Sequence, residues 1–386
     1  MSGTIERAAR GMLLAAYRVG YERVARPLIF RRSAQQAHSD VVALLALADR
    51  WTWAAGLLHG IDRLASVRRP VTVGGVTLAR PLIFAAGLVK GYGFEHESDA
   101  CRAVEQDVNI IPGWRSLPAL LGPVEFGSFT RWPRLGNPGV VVWRDVATRS
   151  TQNRVGLRNP GARAAAAFLA RHAAELPAQY GINIAVSPGV DDPAEQQIEV
   201  LEALDLFLER DLRPAWLTLN LSCPNTEDDP GGHQTEARTR DLCRAVIERL
   251  GAIPLWVKLG PTLADEQYRV LLRVFHETGV RAIVATNTLP EPSPPAPDVL
   301  AGIGGGRLHT RALEVAALLL DDRARHGYTV DVIGGGGVLD GATLDDFRRL
   351  GIPALQYWSA LIYRGPLAAA VIEHEAEGTF YDQHTK

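Results

Sequence analysis

The chain has 386 residues, of which 47% are apolar and 22% charged, the balance of an ordinary globular protein longer than one average domain. A net charge near −2 argues against nucleic acid as a partner. Three cysteines, Cys101, Cys223 and Cys243, form neither a paired framework nor a CxxC, which argues against a disulfide scaffold or a zinc site and for a reducing compartment.

The charge is uneven along the chain. Residues 1–70 hold eleven arginines against five acids, about +6, which leaves the remainder near −8. Residues 4–66 read as helices, because Leu, Ala, Val and aromatic residues recur every three or four positions between arginines, with Pro27 as an interruption. No compact signal peptide and no run of roughly 18 uncharged apolar residues is present in the sequence. From Val71, VTVGGVTLAR alternates around Gly74-Gly75 and predicts a short β-hairpin.

Eight apolar runs of strand length follow: PLIFAAGL (81–88), VEFGSF (124–129), INIAVS (182–187), LTLNLS (217–222), LWVKLG (255–260), AIVATN (282–287), DVIGGGG (331–337) and ALQYWS (354–359). VNIIPG (108–113) competes with VEFGSF for the second place. Stretches of helical period separate most of them, such as Pro193 to Glu209 and Glu266 to Thr278. Strand and helix repeated eight times predict a (β/α)8 TIM barrel over residues 71–386, with residues 1–70 as an N-terminal helical extension.

Polar residues cluster where these strands end: Lys90, Asn183, Asn220 to Asn225, Lys258, and Asn287-Thr288. In this fold the strand carboxyl ends converge on one mouth, so the clustering predicts a site. Lysine is scarce, with three against 38 arginines; besides the terminal Lys386, only Lys90 and Lys258 remain, each closing an apolar run. A compact ammonium on a thin stem suits a tight pocket. IGGGGV (333–338) on the seventh strand, with Ser359 near the eighth, has the form of a phosphate-binding turn, in which glycines let backbone N–H groups approach phosphate oxygens. A flavin mononucleotide is the phosphorylated cofactor that fits, with a lysine near its ring to offset negative charge on reduction.

AAGLVK (85–90), EFGSFT (125–130), NRVGLRN (153–159), GINI (181–184), LNLSCPNT (219–226), WVKLGP (256–261), ATNT (285–288), IGGGGV (333–338) and WSALIYRGP (358–366) together carry a resemblance. In order and spacing they resemble the dihydroorotate dehydrogenases, flavoproteins that oxidise dihydroorotate to orotate. LIFRRSAQQAHSDVVALLAL (28–47) resembles the helical extension of the membrane-associated, quinone-using branch. The resemblance implies FMN as cofactor, a quinone as electron acceptor, and a place on the cytoplasmic side of a membrane, reached through the N-terminal helices and their Trp51, Trp53, Leu57 and Leu58.

Roles follow position by position. Asn153, Asn220, Asn225 and Asn287 match the amides that hold the substrate ring, with Thr288 beside them. An amide suits such a ring because it can donate and accept. Lys258, Asn183, Gly336 and Ser359 match flavin-binding positions, joined by Ala86, Gly87, Ser128, Thr286, Gly306, Gly335 and Trp358. Lys90 matches a lysine shared by both sites, and Cys223 falls at the general base, implied to take the C5 proton while hydride leaves C6. Five features depart from the family pattern: Cys223 where the quinone-using branch has serine, Val89 where the family has Asp, an enlarged GYGFE segment, AVSPGVDD after GINI, and GIGGGRLHTRAL (302–313), which keeps only the rough shape of its counterpart. They keep open an enzyme of the same fold and cofactor acting on another small cyclic substrate; a non-catalytic scaffold would require loss of the flavin residues or the base.

Overall fold

The eight apolar runs pair in parallel and close on themselves. In the computed structural model, which describes residues 2–221 and 236–384, the strands are β1 (Leu82–Phe84), β2 (Val124–Phe129), β3 (Tyr180–Ala185), β4 (Trp216–Asn220), β5 (Leu255–Leu259), β6 (Ala282–Ala285), β7 (Asp331–Gly335) and β8 (Leu355–Tyr357). Each lies beside its neighbours in sequence, and β8 pairs with β1 to close the barrel. Their residues are almost all buried, as a sheet covered on both faces requires. Val124–Phe129 is the second strand; residues 108–113 form no strand.

Helices Pro193–Leu208, Asp265–Thr278 and Gly306–His326 are among those that cover the outside. The first starts where Asp192 accepts from the Ala194 N–H with Pro193 next, a good N-terminal signal. The last two end at Gly279 and Gly327 in the left-handed conformation. The hairpin Val71–Val73/Val76–Leu78 plugs the end where strands begin. Trp256 donates to the Gly74 carbonyl (2.9 Å) and stacks on Trp216 with ring centroids 4.6 Å apart. Room for Trp216 depends on Gly181, where a Cβ would lie 2.2 Å from the indole.

The N-terminal helices correct one expectation. Pro27 interrupts nothing: a π-helical turn, Tyr21–Ala25, joins Ser2–Gly20 to Arg26–Phe30. The wider turn carries the chain past a residue that has no N–H to donate. The breaks fall later, before Ala34–Ala48 and before Thr52–Ala65. Asp49 ties the first of these to the barrel by accepting from the backbone N–H groups of Gly113 (2.6 Å) and Ser116 (2.9 Å). Asp62 ties the second through an ion pair with buried Arg80.

A four-stranded antiparallel sheet, Val142–Asp145, Ser150–Asn153, Leu289–Ser293 and Ala296–Gly305, stands over the mouth of the barrel and was not foreseen. Its segments LPEPS and APDVLAGIGG are rich in Pro and Gly, which mask a strand in sequence. The buried Gln152 amide holds it together by donating to the Pro292 carbonyl at 2.9 Å.

Candidate functional site

The carboxyl ends of the barrel strands open on one cavity, about 1280 Å³ of non-atom space with its mouth included. Ala86, Gly87 and Lys90 line it after β1, Ser128 on β2, Asn183 on β3, Asn220 on β4 and Lys258 on β5. Thr286, Asn287 and Thr288 follow β6, Gly335 and Gly336 come from β7, and Trp358 and Ser359 follow β8. Asn153 enters from the antiparallel sheet.

One expected residue stands elsewhere. Gly306 does not line the cavity; Gly304 and Gly305 do, because Gly306 already opens the helix and abuts the Thr148 carbonyl. Cys223 and Asn225 lie outside the described residues.

The amides form a connected group. Asn287 Nδ2 reaches Asn220 Oδ1 at 3.4 Å, Asn220 Nδ2 reaches Ser128 Oγ at 3.3 Å, and the Thr288 N–H donates to Asn287 Oδ1 at 2.9 Å. An amide both donates and accepts, so this group suits a ring bearing both N–H and C=O groups. The same cavity holds a glycine cradle, on the strand paired with the one that leads to Asn287. Gly336 has φ +120°, and a Cβ there would come within 2.7 Å of Ala312, so only glycine fits. Ser359 and Thr151 share a hydrogen bond of 2.7 Å on the same wall.

Several buried atoms lack a partner among the described residues: Asn183 Oδ1, Thr286 Oγ1 and Thr288 Oγ1. Buried polar atoms are seldom left so, and these three residues line the cavity. Unpaired hydroxyls and an amide oxygen, beside glycines able to present backbone N–H groups, fit the phosphate and polar ring of a flavin mononucleotide. Lys258 is buried, and its Nζ donates to Gln356 Oε1 at 2.9 Å; burial pushes its pKa down, and Glu125 opposes the shift.

Several contributors were missed, Thr151 among them. His38 comes from the N-terminal helix Ala34–Ala48 yet lines the cavity; burial first, then Lys90 and Arg158, lower its pKa to about 4, so it is neutral at neutral pH. One histidine on an amphipathic helix carries no sequence signal of its own. Gln356 and Glu125 were visible only as polar residues inside apolar strands, VEFGSF and ALQYWS.

Comparison with known proteins agrees with this geometry. The sequence model described as dihydroorotate dehydrogenase matches residues 113–379. A relative from Stenotrophomonas maltophilia named "Dihydroorotate dehydrogenase (quinone)" is 32% identical over 352 residues, 89% of this chain and 92% of that protein. One of the same name from Chloroflexus aurantiacus is 31% identical over 369 residues, covering 89% and 92%. The ligand-free enzyme structure from Eimeria tenella shares the fold, with a TM-score of 0.67 at 21% identity over 84% of this chain and 95% of that one. With the family match spanning well over half its length, this chain belongs to the dihydroorotate dehydrogenase family.

Proposed function

We propose that the protein oxidises dihydroorotate to orotate with bound FMN and passes the electrons to a membrane quinone. The observation that carries this reading is one cavity that brings together connected amides, unpaired threonine hydroxyls and a glycine cradle. Relatives named for the quinone-linked enzyme support it.

FMN, when bound, supplies the two-electron acceptor for hydride leaving the substrate ring. Asn153, Asn220 and Asn287 hold that ring by matching its donors and acceptors, which orients its leaving hydrogen within the cavity. Lys90, on the same wall, offers a positive charge to the substrate carboxylate. Cys223 is the proposed base: its Sγ takes the C5 proton, and its thiol must titrate below the usual value of about 8.5 to do so at neutral pH. Trp358 and the antiparallel sheet shut out water.

The acceptor side rests on the N-terminal helices. Because Ala34–Ala48 brings His38 to the cavity wall, a molecule entering between these helices meets the same cavity. No single helix among the described residues is long and apolar enough to cross a membrane; Ala34–Ala48 and Thr52–Ala65 are together long and apolar enough but bend by 111°. Trp53 is 65% exposed, Leu57 59% and Leu64 69%, a face that suits the membrane interface.

One feature favours another cyclic substrate on the same machinery: Val89, 1% exposed, is an apolar residue beside Lys90. Turnover separates the two readings. With dihydroorotate and a soluble quinone, the protein forms orotate and reduced quinone one for one. A flavin-loaded protein that forms no orotate would overturn the proposal in favour of another ring.

A further inference from the structure

Glu125 is an acid sealed inside the barrel. It stands on β2 with no exposed surface, and it does not line the cavity. Its carboxylate accepts from Asn183 Nδ2 (2.8 Å), Trp216 Nε1 (3.1 Å), Thr218 Oγ1 (2.6 Å) and Gln356 Nε2 (3.0 Å). Four donors suit the ionised form, which accepts and cannot donate. They also settle the Gln356 amide: with Nε2 held by Glu125, Oε1 faces the other way and accepts from Lys258 Nζ at 2.9 Å. A carboxylate, an amide and a buried ammonium thus run from the barrel interior to the cavity wall.

A satisfied polar network inside a barrel can serve fold specificity alone. Two features tie this one to the cavity. Gln356 and Lys258 both line it, so the end of the chain is presented to whatever binds there. Further, an ammonium out of water tends to lose its proton unless a countercharge holds it. Lys90, His38 and Tyr357 are the other titratable groups on the cavity wall among the described residues, but the field that acts on Lys258 is that of Glu125, which opposes the effect of burial.

We propose that Glu125 is a positioning residue that, through Gln356, keeps Lys258 charged and aimed at the cofactor, and so sets the cofactor's reduction potential and its proton uptake. The inference rests on the FMN reading above. With Lys258 protonated beforehand, reduction by two electrons takes up one proton, on the ring, and the ammonium offsets the negative charge that remains. Without Glu125, Lys258 enters the reaction neutral; two electrons then bring in two protons, one to the ring and one to Lys258 Nζ.

The test is the potential of the purified flavoprotein, equilibrated without oxygen against a reference dye under a low-potential reductant, as a function of pH around neutrality. The wild type follows the slope of one proton per two electrons, whereas Glu125→Gln has a lower potential at the alkaline end and a slope of two protons per two electrons. A Glu125→Gln protein with the wild-type potential and slope would overturn the proposal. Should that variant fail to hold the flavin, the wild type decides alone, because a two-proton slope there means that Lys258 is not charged beforehand. A wild-type protein that takes up no flavin overturns the FMN reading, and the proposal with it; a yellow protein with the wrong slope overturns the proposal only.

Discussion

Asn220 and Asn287 stand at the ends of β4 and beyond β6, and each finds the other's amide at 3.4 Å rather than at a short distance. Both line the cavity, where an amide that donates and accepts suits a substrate ring. Asn220→Leu should therefore lower kcat/KM for dihydroorotate by about 10- to 100-fold, the equivalent of about 1.5–3 kcal/mol for polar contacts left unmade, while titration shows flavin still bound. Equal loss of flavin would place Asn220 on the cofactor instead. Gly336→Ala should do the reverse, because a Cβ there meets Ala312 and Leu308 and closes the cradle; the expected outcome is a folded protein that takes up little flavin. At this scale the sequence was informative for lysines, asparagines and glycines at strand ends, where residue type and fold position agree. It was silent on His38, whose place in the cavity depends on how the N-terminal helices pack, and it put Gly306 one residue too far, since the start of a helix is the least legible boundary.

The N-terminal helices are held to the barrel by charge as well as by apolar contact. Leu14 and Ala65 pack with Leu367 and with Ala370 and Val371 of the C-terminal helix Ala368–His384. Beside them Glu373 is buried, with Oε1 unpaired among the described residues. Burial raises its pKa from 4.5 to about 7 against the pull of Arg80, Arg348 and Arg69, with Asp62 adding to the rise. A carboxyl raised in the folded state contributes stability that is complete below its unfolded value and is lost as pH climbs through about 7. Glu373→Gln should therefore melt with the wild type near pH 4.5 and above it at alkaline pH, by up to about 3 kcal/mol. Parallel melting curves across that window would contradict this. On the outer face, Trp53→Ser with Leu57→Ser and Leu64→Ser should leave stability within about 1 kcal/mol, since these side chains are already exposed. The same triple change should release the protein from vesicles in a flotation assay, and unchanged flotation would remove these residues from the membrane contact.

Across the whole molecule, the barrel was legible because buried parallel strands are short, continuous apolar runs that only this repeat accommodates. The antiparallel sheet was not, because Pro and Gly in LPEPS and APDVLAGIGG read as loop, and because its strands at 142–153 and 289–305 pair across more than a hundred residues. That sheet delivers Asn153 and Thr151 to the cavity; Asn153 was named from family resemblance but not placed, and Thr151 was not named. The π-helical turn at Tyr21–Ala25 was hidden for the opposite reason: Pro27 signals a break, and the local geometry absorbs it. Strand ends, helical extension and sheet meet at one cavity, and the account stands on what that cavity accepts. The measurement that tests it most directly is to mix the purified, flavin-loaded protein with dihydroorotate in the absence of oxygen and follow the yellow absorbance of the flavin. The account predicts rapid bleaching with one orotate formed per flavin. A protein that stays yellow with dihydroorotate, yet bleaches with a chemical reductant, would contradict it.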